Sequence, residues 1–325
     1  MKPSQTITLG IPGNILQQSD LPTNTLSGNI VIAEGVTGIA EGLFENCTSL
    51  TAVEIPDSVQ EIGPGAFEGC SALTNVRLPE NLTKIPMKLF AGCTHLTNLR
   101  LPEGIKSIGE HAFHYCKNLT DLAIPQGLTY IGPGAFSCCG LTSVDLPPFL
   151  TTISADLFES CINLVHIKIP LRLVQIDDSA FAYCGIESVA LPEGLTAIGN
   201  DAFAGCALTS IVLPSTVQTI GSSAFMSCTK LQYAVLPPQL TRIERGTFDY
   251  CESLVAVVFP DDLTYIGHSA FHACSSLVSL TLPYKIRRVE DKAFLDCKNL
   301  NYLLVPETCN VRYKKLPTSC RLFYY

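Results

Sequence analysis

The sequence predicts a repeat solenoid of the α/β type, and three observations carry that prediction. Twelve Phe-x-x-Cys pairs run from Phe44/Cys47 to Phe294/Cys297, with successive phenylalanines 22 or 23 residues apart. A fixed period in this range is the mark of stacked coils sharing one continuous core. Seven residues into each coil stands a proline, from Pro56 to Pro306, in all twelve coils. Ahead of it lies a short run that alternates apolar and polar, as in Val53-Glu54-Ile55, which is the period of a strand. The three shorter steps each lose one residue just after the cysteine, at Gly140, Gly185 and Ala207, where only a turn absorbs the loss without shifting core register.

Residues 1–29 precede the repeat and read as an N-terminal cap, since a bare first coil would expose core and an open sheet edge. The solenoid proper spans 30–306. Numbering each coil from its first leucine, apolar residues recur at positions 1, 4, 6, 10, 13, 17, 18 and 21. Positions 4 and 6 face inward from the first strand. Proline lacks an N–H, so it closes that strand at the same place every time. Positions 10 and 13, such as Val59 and Ile62, predict a second short inward-facing segment. The Ala-Phe-x-x-Cys unit then predicts a tight turn or a single helical turn, with Phe and Cys pointing inward. Stacked at ~4.8 Å, the coils would make a rod or shallow arc of roughly 60 Å. The pattern stops after Pro306, and residues 307–325, with Cys309 and Cys320, read as a C-terminal cap.

Composition narrows function. A net charge of −8 argues against a nucleic-acid partner, because affinity there comes from neutralising phosphates. No stretch of about 18 apolar residues exists to span a membrane. The N-terminal residues show no apolar signal segment, which leaves three readings open: a protein working inside the cell, one leaving by a leaderless route, or one whose leader has been trimmed away. Fifteen cysteines are present, but twelve are spaced as a stack rather than as metal ligands, so they read as small buried hydrophobes with a weak donor. A core of unpaired thiols suits a reducing compartment, and Cys309 and Cys320 could staple the cap under oxidising conditions. Cys138 reads as a partly exposed bystander. The six histidines form no recurring Ser/His/Asp or Cys/His set, and no Gly-rich phosphate loop follows a strand. The sequence therefore predicts no enzyme, no cofactor and no metal.

What varies between coils is the outward strand positions. Position 5 reads Glu54, Arg77, Arg100, Ala123, Asp145 and Lys168, and then Ala190, Val212, Val235, Val258, Thr281 and Leu304. A solvated sheet has no need of three valines on neighbouring coils. Position 3 adds Tyr233 and Tyr302, and position 8 adds Tyr284. Contiguous exposed apolar surface marks an interface, and Tyr is favoured there. The expected partner-binding stripe is Val212, Tyr233, Val235, Val258, Tyr302 and Leu304, with Arg77, Arg100 and Lys168 forming a polar region. Two alternatives stand beside it: β-branched residues placed there for strand propensity, or a C-terminal tail or second copy covering them.

Lines such as LTAVEIPDSVQEIGPGAFEGCSA (residues 50–72) resemble the BspA-like (Treponema-type) leucine-rich repeats, whose pattern is LxxIxIPxxLxxIGxxAFxxCxx. The resemblance covers residues 30–306. It implies a right-handed leucine-rich-repeat solenoid with a parallel sheet on its concave side, and a group associated with cell surfaces, adhesion and protein–protein contacts. The leading expectation is a non-enzymatic scaffold that binds a protein on the concave sheet, as a bacterial or protozoan surface or host-interaction factor. An intracellular or injected effector acting by binding is the alternative. A carbohydrate-binding module comes third, since a groove with no Trp and two strand tyrosines offers little to a sugar ring.

Overall fold

The computed structural model describes residues 6–22, 26–311, 316–317 and 320–325. The chain forms a parallel-strand solenoid in two compact units, the first holding residues 1–150 and 156–164 and the second residues 151–155 and 165–325. In unit 1 the first strands of successive coils, Thr6–Leu9, Gly28–Ile32, Leu50–Glu54, Asn75–Arg77 and Asn98–Leu99, form one parallel sheet. The first of these lies in the segment expected to cap the repeat, and it pairs along its whole length with Gly28–Ile32. The second strands, two residues each, stack separately, as in Lys84–Ile85, Ser107–Ile108 and Tyr130–Ile131.

Unit 2 repeats the plan. Its first strands are His166–Lys168, then Ser210–Val212, Tyr233–Val235 and Ala256–Val258, then Ser279–Thr281, Tyr302–Val305 and Arg321–Tyr324. Its second strands stack from Thr152–Ile153 to Thr219–Ile220 and from Arg242–Ile243 to Asn310–Val311. Cys309 is buried and Cys320 half-buried, and each is a free thiol.

The proline's role is visible in the turn it opens. The N–H three residues on donates to the proline carbonyl in every coil, from Val59 to Pro56 through Cys309 to Pro306, at 2.9–3.3 Å. At Gly63, Gly109, Gly132 and Gly199 an added Cβ would lie 2.3–2.6 Å from a backbone nitrogen of the preceding coil, which explains the glycine after the second strand.

Of the two forms open to the Ala-Phe-x-x-Cys unit, the structure takes the tight turn and not the helical one. Among the described residues, the helical elements reduce to one 3-10 turn at Gln18–Asp20. The reason lies between coils. The N–H groups at positions 16, 18 and 20 donate to carbonyls of the next coil, as Gly65 to Met87, Phe67 to Leu89 and Gly69 to Ala91. A helix would have spent those donors on its own carbonyls. Alternation of inter-coil and local bonds holds positions 16 and 20 in the left-handed region, with φ between 52° and 76° in all twelve coils.

Phenylalanine rings stack in both units. Neighbouring centroids from Phe44 to Phe158 lie 5.1–5.7 Å apart, and those from Phe181 to Phe294 lie 5.3–5.6 Å apart. Every ring is at most 1% exposed. The cysteines complete the column. Each of the twelve Phe carbonyls takes a local N–H, and in most coils the thiol of the next coil supplies a second donor: Cys70 to Phe44 at 3.0 Å, Cys93 to Phe67 at 3.2 Å, Cys228 to Phe203 at 3.2 Å. A buried carbonyl has two lone pairs to satisfy, and here a side chain of hydrophobic size does it.

Candidate functional site

Parallel register decides which outward side chains become neighbours. In unit 2 Val212, Val235 and Val258 are direct partners across three strands, and Ser210, Tyr233 and Ala256 form the row beside them. Val212 is 67% exposed and Val258 57%, with Val235 half-buried between them. Exposure this high shows that strand propensity has not been recruited into a second core. Tyr302 and Leu304 lie on a strand paired with Ser279–Thr281 on one side and Arg321–Tyr324 on the other. No ladder joins Ala256–Val258 to Ser279–Thr281, where Phe259 turns its ring edge-on to Phe271 at 5.9 Å.

The described tail residues run alongside that sheet. Phe323 pairs with Leu304, its ring sits 6.0 Å from that of Tyr302, and the Tyr325 N–H donates to Val305. They extend the sheet and leave Val212 and Val258 open. Sequence reasoning missed Val255 and Val278, which are 43% and 53% exposed just ahead of their strands. The available signal was their departure from the Thr that fills this position in most earlier coils. Tyr284 is exposed as expected.

The polar trio divides. Arg77 and Arg100 share an open groove in unit 1 with Glu80, Thr97 and Asp121. Arg77 reaches Asp57 at 3.3 Å and the Ile55 carbonyl at 3.1 Å, and Arg100 reaches Glu80 at 3.6 Å. Their charge is thus largely answered from the preceding coil. Lys168 belongs to unit 2 and stands exposed on His166–Lys168.

Elsewhere the titratable groups brace coils. In the shallow pocket beside the second strands of unit 2, Asp178 accepts from the Asn200 N–H at 2.7 Å and its side-chain amide at 3.1 Å, and Asn200 accepts from the Ser222 N–H at 2.9 Å. His272 lies between Asp249, 2.7 Å from Nδ1, and Asp296, 3.3 Å from Nε2. In unit 1 Ser137 spends its proton on the Gly134 carbonyl, so His114 donates to it from Nδ1. Burial, and then His111 with its ring 5.2 Å away, lower the His114 imidazole below its ordinary value. Burial pushes the ladder thiols up, Cys70 and Cys206 to about 12. Such thiols carry almost no thiolate at neutral pH and are poor nucleophiles. Among the described residues, no group of three or more His, Cys, Asp or Glu is placed to hold a metal ion, and no helix is long and apolar enough to cross a membrane.

A family model described as a BspA type leucine rich repeat region matches residues 23–106, 83–207 and 196–321. Among solved structures, the chain is similar to a leucine-rich repeat protein from Bacteroides ovatus, at 27% identity and a TM-score of 0.74, over 96% of this chain and 94% of that one. It is similar to a leucine-rich cell surface protein from Faecalibacterium prausnitzii at 25% identity and a TM-score of 0.56, over 91% and 87%. The pneumococcal vaccine antigen PcpA shares the fold at 19% identity and a TM-score of 0.64, over 98% and 94%. No curated protein sequence matches it.

Proposed function

From the premise that this chain belongs to the BspA-type leucine-rich repeat family, we propose that it is a non-enzymatic scaffold that holds a partner protein on the first-strand sheet of unit 2. The observation that carries this reading is the row of Val212, Val235 and Val258, in register, with Val212 and Val258 open to solvent and Val235 half-buried between them. Repeat coils bury what they share and vary what they expose, so recognition falls to such rows. Val212, Tyr233, Val235, Val258, Tyr302 and Leu304 supply the apolar contact. Lys168 supplies a polar contact in the same unit, and Arg77 and Arg100 offer a separate polar face in unit 1.

Presentation at a cell surface, in adhesion or contact with a host, is the cellular setting we favour. The Faecalibacterium prausnitzii relative, a cell surface protein, supports it. The ladder thiols do not oppose it. Buried and held protonated, they resist the oxidation that follows thiolate character and exposure, so the column needs no reducing compartment.

The test is capture of partners from native or host extracts by the wild type and by Val235→Asp/Val258→Asp. Val258 is exposed and Val235 half-buried on the outer face, so the variant stays folded, checked by its circular dichroism and melting curve, and loses the captured protein. Equal capture by a folded variant removes the row from the reading.

A further inference from the structure

The exposed row in unit 2 has a second property besides being apolar. On five successive coils, from Ser210–Val212 to Tyr302–Val305, the two outward strand positions hold only Ser, Thr, Ala, Val, Leu and Tyr. The residue ahead of each strand is uncharged as well. Charge returns at Arg321, on the strand that closes the sheet. The same positions in unit 1 include Glu54, Arg77, Arg100, Asp121 and Asp145. A chain of net charge −8 that keeps one strip free of charge offers a charged ligand no counter-ion there and makes it lose hydration.

Size selects further. Five coils are four spacings of about 4.8 Å, or about 20 Å of strip, and the outward pair of residues spans only about 7 Å across. That area is far below the ~800 Å² per partner of a stable interface between folded proteins, so a second copy docked face to face would find too little surface. An extended chain advancing about 3.3 Å per residue covers the same length in six or seven residues. Tyr233 stands in the row beside the valines, and Tyr302 in the row beside Leu304.

Resting on the reading of this face as the partner site, we propose that its occupant is an extended, uncharged segment of six or seven residues bearing β-branched or aromatic side chains. The experiment pans a phage-displayed random heptapeptide library on the full chain, with counter-selection on Val235→Asp/Val258→Asp. The enriched peptides should lack Asp, Glu, Lys and Arg. The synthetic form of the leading peptide should bind wild type equally at about 50 mM and about 500 mM NaCl, and the folded variant about tenfold or more weakly. Enrichment of charged sequences, salt-sensitive binding or no enrichment overturns the inference. So does concentration-dependent dimerisation of the wild type in sedimentation that the variant lacks. Failure here while the variant still loses its captured protein leaves the partner site standing and assigns it to a folded surface; equal capture by both removes the site itself.

Discussion

Unit 1 and unit 2 each stack six phenylalanines at 5.1–5.7 Å and satisfy Phe carbonyls with thiols of the following coil, yet their outward strand positions differ in kind. In unit 1 most coils carry a charge there, and Arg77 and Arg100 are answered by Asp57 and Glu80. In unit 2 Lys168 is the last charge at these positions before Arg321, and the five coils from Ser210–Val212 to Tyr302–Val305 carry none there. The histidines differ as well: His114 pairs with a serine beside a second imidazole, while His272 lies between two carboxylates. The difference teaches that the inward pattern is set by stacking and keeps its Phe and Cys in every coil, while the outward pattern is free of that constraint and can be given to recognition or to pH response.

The sharpest way to break this comparison is to remove one ring from each column. Phe113→Ala and Phe225→Ala should each cost about 3–5 kcal/mol, read from urea or thermal unfolding. Equal losses show that the two cores are energetically the same; a loss under about 1 kcal/mol in either unit shows that its column can collapse around the gap.

Acid should act on unit 1 through His114. His114 has a folded value lowered from 6.5, chiefly by burial. As pH falls through 6.5 the unfolded chain takes the proton first, so stability drops until pH passes the lower folded value and is unaffected above 6.5. His114→Asn should therefore flatten the loss of urea midpoint between about pH 7.5 and about pH 5. Identical acid profiles for the His114 variant and wild type would remove this histidine from the account.

The smallest effect probes a feature the units share. Ser160 and Ala273 hold left-handed φ values of 58° and 57°, a conformation that suits glycine. Ser160→Gly and Ala273→Gly should each raise stability by about 0.5–1 kcal/mol, measured by the same unfolding curves.

Particular residues show how far the sequence could be read. Pro56 and its counterparts had to end strands, because they lack a donor. Phe67 and Cys70 had to point inward, because a length change falls only after the cysteine. Val212, Val235 and Val258 could be placed side by side before any coordinates, since parallel coils of fixed period keep equivalent positions in register. Val255 and Val278 could not, because they stand one step ahead of the strand, where alternation gives no direction.

By itself the sequence determined the solenoid, its period, the buried column and the half whose face is apolar. Each of these follows from which side chains avoid water and how often they recur. Only the tertiary structure decided that Ala-Phe-x-x-Cys is a turn with two left-handed residues and not a helical turn. Seventeen of those twenty-four positions hold a residue other than glycine, such as Lys88, Tyr115 and Asp296, so no local preference announces them. The backbone takes that shape because the neighbouring coil's carbonyls draw its N–H groups outward, and that neighbour exists only once the coils have stacked.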